Sequence, residues 1–339
     1  MKKTLIALAT LAAATGALAQ STVTLFGVAD AAVQYTKTGA AKKTAMATSA
    51  LNSSRFGVRG EEDLGGGMKA GFHLEAGVAN DSGAGAATNT NNQTVTALTS
   101  AGTQGLTFNR RSTLSLMGGF GELRVGRDYT PLFWTQTIYD PFGTNGVGAS
   151  QANASANPAT LLTGVRASNS IGYISPSFSG FAVQVQTYLG ENASNDALGK
   201  KTGSGNGLRA TYEQGPVSVA LATAKYDTAL NTTHKGTNVG ASYDLGMVKL
   251  TGLYSTDEDT GAAKVKGYLV GLTAPLGAGV AKLAFSNAKQ GTTLDTDKFA
   301  AGYVYSLSKR TSIYTTIANT KPKTGDKTTG FDLGVSHSF

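Results

Sequence analysis

Apolar and polar residues alternate in short runs along nearly the whole chain. Successive residues of a strand point to opposite faces. Over 68–78, Met68, Ala70, Phe72, Leu74, Ala76 and Val78 share one face, and Lys69, Gly71, His73, Glu75 and Gly77 share the other. The same parity sets Phe181, Val183 and Val185 against Gln184, Gln186 and Tyr188, and Ala281, Leu283 and Phe285 against Lys282, Ala284 and Ser286. It returns in the last segment, where Phe331, Leu333, Val335 and Phe339 oppose Asp332, Gly334, Ser336 and Ser338.

The links between these segments alternate in length. Short ones include Leu64-Gly65-Gly66-Gly67, Gly118-Gly119-Phe120-Gly121, Gln214-Gly215-Pro216 and Asp244-Leu245-Gly246-Met247. Longer polar stretches fall near 36–50, 80–106, 130–165, 190–205, 227–235, 256–263, 290–297 and 320–328. Together they join about sixteen strands. An even-numbered antiparallel barrel, with short turns on one side and long loops on the other, is the pattern of outer-membrane barrels.

A soluble β-sandwich would give the same alternation with its apolar face inward. Three features favour a membrane barrel. The strands run to about ten residues, the span of a tilted membrane strand. Lys or Glu lies on the polar face of nearly every strand. Aromatics such as Tyr35, Phe56, Tyr188, Tyr212, Tyr243, Tyr254, Tyr268, Tyr303, Phe331 and Phe339 gather near strand ends, as interfacial girdles do. In lipid each backbone polar group needs an internal partner, so such a sheet must close. Sixteen strands would enclose water, whereas about eight would be plugged by their own side chains. The expected fold is therefore all-β, a sixteen-stranded antiparallel transmembrane β-barrel over 20–339.

Residues 1–19 read as a cleaved signal peptide: Lys2 and Lys3, an apolar stretch from Leu5 to Ala14, then Ala17-Leu18-Ala19. The chain has no cysteine, so a disulfide framework is excluded. No later segment approaches 18 consecutive apolar residues, which disfavours membrane helices. The formal charge of +8 is mild, and no basic block or zinc spacing suggests nucleic-acid binding. No cofactor or metal is expected; Asp257-Glu258-Asp259 reads as a solvated loop.

Several motifs resemble the general porins of Gram-negative outer membranes, of the β-proteobacterial type. Val23-Thr24-Leu25-Phe26-Gly27-Val28-Ala29-Asp30 resembles the family's first strand. The run from Ser54-Arg55-Phe56-Gly57 through Gly65-Gly66-Gly67-Met68-Lys69-Ala70 resembles its second strand, turn and third strand. Arg110-Arg111-Ser112 and Gly118 to Arg127 resemble the fourth and fifth, and Tyr139-Asp140-Pro141-Phe142-Gly143 part of an inward loop. The resemblance implies outer-membrane lipid as surroundings, a homotrimer, and passive diffusion of small hydrophilic or anionic solutes. It further implies a third loop, about 130–165, folded into the lumen, and recognition by the barrel-assembly machinery through the strand ending in Phe339.

A pore selects through its radius and the charge at its narrowest point. Arg suits anions because its planar fork stays charged. Parity turns Arg55, Arg59 and Arg166 inward. The resemblance places the constriction arginines at Arg55, Arg110 and Arg166. Simple alternation favours Arg111 for the lumen, and a bulge between Arg110 and Arg111 would restore Arg110. Glu75 and Asp140 are expected across the lumen, setting a transverse field. Arg124, Lys69 and His73 are further pore-lining candidates, and Lys282 is one of several lysines on the wet wall. The stretch 80–106 reads as an exposed outer loop. The three histidines, His73, His234 and His337, are too scattered for an enzyme site. The alternatives are a substrate-specific anion channel and an adhesin or receptor barrel.

Overall fold

The computed structural model of the protein describes residues 22–89, 92, 105–150, 162–197, 199–229, 232–292 and 294–339. The expected signal peptide, 1–19, and part of the 130–165 stretch lie outside the described residues. All strands belong to one sheet whose neighbours run antiparallel. It closes where β1 (Thr22–Thr38) pairs with β17 (Thr328–Ser338), in register from Val28↔Ser338 to Thr38↔Thr328.

Among the described residues, seventeen strands fill sixteen positions. β2 (Ala41–Thr48) and β3 (Arg55–Gly65) both pair with β1, β2 along 31–38 and β3 along 22–28. Together they form one broken strand. The break, 49–54, is held by Asp30, which is fully buried. Its Oδ1 accepts from the Ala50 N–H at 2.9 Å and the Tyr314 hydroxyl at 2.7 Å, and its Oδ2 from the Asn52 N–H at 2.9 Å. Its own carbonyl accepts from Ser54 and Asn80. Backbone groups released from the ladder thus find partners within the wall, as lipid surroundings demand. The polar stretch near 36–50 is accordingly no open loop. Gly39, at φ +58°, turns β1 directly into β2.

The next strands are β4 (Met68–Gly77), β5 (Arg111–Gly118), β6 (Gly121–Tyr129), β7 (Arg166–Ile174), β8 (Phe181–Tyr188), β9 (Gly205–Gln214) and β10 (Val217–Ala229). The rest are β11 (Thr232–Asp244), β12 (Lys249–Asp259), β13 (Val265–Leu276), β14 (Gly279–Gln290), β15 (Leu294–Ser306) and β16 (Thr311–Pro322). A short helix, α1 (Pro131–Ile138), follows β6, and one turn of helix, α2 (Leu162–Val165), precedes β7.

Burial is inverted relative to a soluble protein. Leu114 is 64% exposed, Val270 57% and Leu333 55%. Ala220, Ala284, Ala300, Asp332, Ser286 and Ser336 are buried. Large apolar side chains facing outward suit hydrocarbon, and the small and polar ones face the interior. Replacing Asp30 by Ala would leave the donors of Ala50, Asn52 and Tyr314 without their acceptor, a cost on the order of 1–3 kcal/mol. Asp30→Ala is expected to lower the temperature at which the compact barrel unfolds on heat-modifiability gels, and Asp30→Asn to lower it less.

Candidate functional site

β3, β4, β5, β6 and β7 bring a group of guanidinium side chains to one stretch of wall. They border a cavity of about 820 Å³ lined by Arg55, Arg59, Arg110, Arg111 and Arg166. The segment following β6 supplies its other side, with Trp134, Phe142 and Asn145.

Glu75 organises the cations. Its Oε1 accepts from Arg110 Nε at 2.5 Å and lies 3.9 Å from Arg55 Nε, and its Oε2 lies 3.2 Å from His73 Nε2. Tyr129 does so without a charge. Its hydroxyl oxygen accepts from Arg110 at 3.0 Å and from Arg166 at 2.7 Å. The Arg166 guanidinium also lies 4.3 Å from the centre of the Tyr129 ring. Hydrogen bonds from charged donors are stronger than neutral ones, and a cation over a ring face adds to them. Phe133 stacks on Tyr129 at 5.1 Å and Trp134 meets it edge-on at 5.0 Å, which fixes the phenol.

Arg110 and Arg111 both line the cavity. The β4–β5 register runs without a break from Lys69↔Met117 to Glu75↔Arg111, where it ends. Arg110 instead precedes the strand at a bend, its N–H donating to the Glu75 carbonyl at 3.1 Å. Strand alternation therefore does not govern it. The register shift lies opposite Arg127: Gly126 pairs with Ser170 and Asp128 with Ala167, so the extra residue stands on β7 within Ser168–Asn169, where Asn169 has φ +54°. Gly126 has φ +120°, and a Cβ there would collide with the Ser112 carbonyl. Arg127 has the opposite parity to Arg124 and Asp128 and does not line the cavity; it is buried in the wall, where it donates to the Asn109 carbonyl and to Ser168. Asn89 and Asn92 are buried beside it, Asn92 exchanging two hydrogen bonds with the Ser168 backbone. This part of the 80–106 stretch is packed against β7 rather than exposed.

Other expectations need correction. Glu75 sits among the arginines, not across from them. Asp140 is buried, and its carboxylate accepts from the Phe142 and Ser150 N–H groups at 2.9 Å each. It shapes its own segment rather than presenting a free charge. Burial pushes the Asp140 carboxyl above the ordinary carboxylate range, and these N–H donors oppose the rise. Arg124 does not line the cavity; Glu122 and Asp128 bracket it at 2.8 and 2.6 Å. Lys69 is half exposed at the β3–β4 turn, 3.4 Å from Glu61. His73 lies beside Glu75, whereas His234 is held between Asp257 and Asp259 and His337 meets Thr311, so the three histidines form no common site. Asp128 shares the face of Arg124, so alternation does not hide it, whereas Tyr129 reaches the cavity from the end of β6, where alternation no longer governs.

Residues 131–150 are seated on strands far from β6. Thr130 caps α1 by accepting from the Phe133 N–H, and Pro131 opens it. Asn238 on β11 donates to the Leu132 carbonyl, Lys298 on β15 to the Ala149 carbonyl, and the Val147 N–H donates to Asp332 on β17. Wall glycines make room between these anchors. A Cβ at Gly240 would collide with the Tyr139 ring, and one at Gly330 would lie 2.7 Å from Val147. Gly236, Gly271 and Gly302 receive Leu132, Pro141 and Phe142 in the same manner.

A profile of the Gram-negative porins matches residues 4–325. The chain belongs to the Gram-negative porin family. Outer membrane porin protein 32 of Delftia acidovorans is 36% identical over the full length of both chains. An outer membrane porin protein of Bordetella pertussis is 28% identical, again over the whole of each. Among solved structures, the anion-selective porin from Comamonas acidovorans shares 32% identity at a TM-score of 0.81, covering 94% of this chain and all of that one. This porin is an outer-membrane β-barrel, and its relatives are channels rather than enzymes. Gly240→Val is expected to unseat Tyr139 and expose 131–150 of the porin to added protease while the barrel survives. Intact protein after prolonged digestion would count against this seating.

Proposed function

We propose that this porin conducts small hydrophilic solutes and ions through a water-filled channel that prefers anions, with residues 131–150 folded into the lumen as its constriction. The observation that carries the reading is the charge balance of the cavity. Arg55, Arg59, Arg110, Arg111, Arg166 and Lys282 line it against Glu75, Asp128 and Asp140. The carboxylates are already engaged: Glu75 by Arg110, Asp128 by Arg124 and Asp140 by backbone N–H groups. Neither Arg59 nor Arg166 has a carboxylate within 4.0 Å among the described residues. A lumen with excess positive charge and low-dielectric walls concentrates anions. Arg55, Arg110 and Arg166 are the constriction arginines in this reading, and Arg59, Arg111 and Lys282 extend the positive wall. Tyr129 keeps Arg110 and Arg166 side by side despite their repulsion.

The similarity to an anion-selective porin supports the sign of the preference. The outward apolar faces meet lipid or further copies of the chain, and the family resemblance favours a homotrimer. The same resemblance assigns 1–19 to export and the strand ending in Phe339 to barrel assembly. No catalytic role is assigned, since the three histidines are separate and the cavity's carboxylates are spent on structure.

The test is a planar bilayer under a salt gradient. The reversal potential should have the anionic sign. It should shrink as salt rises from about 0.1 to about 1 M, because the screening length falls from about 10 to about 3 Å. Arg55→Gln combined with Arg110→Gln should cut the anion-to-cation permeability ratio several-fold. A cationic sign in the wild type would overturn the charge assignment.

A further inference from the structure

The two sides of the arginine cavity differ in kind. On α1, Pro131, Leu132, Thr135 and Gln136 are buried, and the helix packs on β9, β10 and β11. Phe133, Trp134 and Thr137 occupy its other flank, are partly exposed and line the cavity. The helix thus hides a threonine and a glutamine and turns two large rings, one of them the chain's single tryptophan, toward the lumen. The buried Thr135 hydroxyl has no hydrogen-bond partner among the described residues, so this orientation does not serve the helix's own polar groups. Exposed apolar surface rimmed by polar groups marks a place of contact.

This side carries no free charge. α1 contains no Asp, Glu, Lys or Arg, and Asp140 beyond it is taken up by N–H donors. The facing wall presents guanidinium groups, and Tyr129 joins the two sides. Arg166 lies 4.3 Å from the centre of its ring, and Phe133 and Trp134 pack on the same ring at 5.1 and 5.0 Å. Apolar ring surface and an uncancelled guanidinium therefore meet within the width of one side chain. A second such pairing stands on β3, where the exposed Arg59 lies 5.2 Å from the Phe26 ring.

A compact inorganic anion engages the guanidinium groups alone. A zwitterion needs a carboxylate facing them, and the α1 side offers none. A neutral ring engages the aromatic side alone. A planar apolar body bearing one carboxylate engages both.

We propose, resting on the anion-preferring reading above, that Phe133 and Trp134 are specificity-determining residues that favour aromatic monocarboxylates over compact anions of the same charge. The carboxylate takes a guanidinium fork, which matches its geometry. The ring lies offset against the Phe133 and Trp134 surface. The cavity of about 820 Å³ is within the size range of small-molecule sites, so such a solute fits. Contact on this scale holds a solute briefly and lets it leave, as conduction requires.

The test records single-channel currents of the intact porin in a planar bilayer in KCl, with benzoate, acetate or benzamide added. Benzoate should half-block the current at a concentration at least about fivefold below that of acetate, the worth of one good aromatic contact. Benzamide, which has the ring without the charge, should block no better than acetate. Trp134→Ala should bring benzoate and acetate within about twofold of each other, since only the Phe133 ring remains. Trp134→Phe should keep most of the difference. The wild-type comparison decides the matter even where a variant fails to insert. Equal half-blocking by benzoate and acetate, or by benzoate and benzamide, would overturn the proposal, as would an unaltered benzoate preference in Trp134→Ala. The reversal potential of the same wild-type channels separates the two readings. An anionic sign with no benzoate preference removes the aromatic site alone, whereas a cationic sign removes the anion preference beneath it as well.

Discussion

Every feature of this barrel follows from the need to pair backbone N–H and C=O groups where water cannot reach them. The β1–β17 ladder meets that need at the seam. Where the ring is interrupted, between β2 and β3, a buried carboxylate replaces the missing strand partners. Asp30 is thus a substitute for sheet. It lets the wall fold inward for six residues while giving the Ala50 and Asn52 N–H groups an acceptor, and Ser53 from that fold reaches Asn145 of the segment after β6. The same constraint decides the faces. Once the backbone is satisfied, side chains alone meet the surroundings, so bulky apolar residues go out and small or polar ones go in.

An interior packed with guanidinium groups would fly apart without connectors of another kind. Two are present. Glu75 gathers Arg110, Arg55 and His73 around one carboxylate, and Tyr129 offers one oxygen and one ring face to Arg110 and Arg166. The second connector matters for the net field. A carboxylate organises arginines by cancelling them, whereas a phenol organises them and leaves their charge in place. Using one acid and one phenol gives a fixed geometry with most of the positive charge retained.

The barrel was legible because its signals are periodic. Alternation at 68–78 and 181–188, and glycine-rich turns such as 64–67, repeat often enough to reveal strand number and sidedness. Arg55, Arg59 and Arg111 were legible for the same reason, since each lies within a regular strand or at its start; Arg166 lines the cavity although a register shift separates it from Ile171 and Tyr173. What parity could not reach were the places where the strand rule stops applying. Arg110 stands at a bend before β5, and Tyr129 enters the cavity from the end of β6, beside the register shift on β7. The roles of Glu75 and Asp140 were misplaced for a different reason. Sequence shows that a carboxylate is present but not whether its lone pairs are already taken by neighbours.

The wall glycines at 236, 240, 271, 302 and 330 hold the residues after β6 by what they lack. They stand on β11, β13, β15 and β17, apart from every guanidinium in the cavity. In the proposed channel, aperture and polarity are therefore written in separate sets of codons. A single added methyl on the far wall would change how large a solute can pass, and the field it meets would be left as it was. Size exclusion and charge preference can then drift independently under selection, which suits a protein whose surroundings set both.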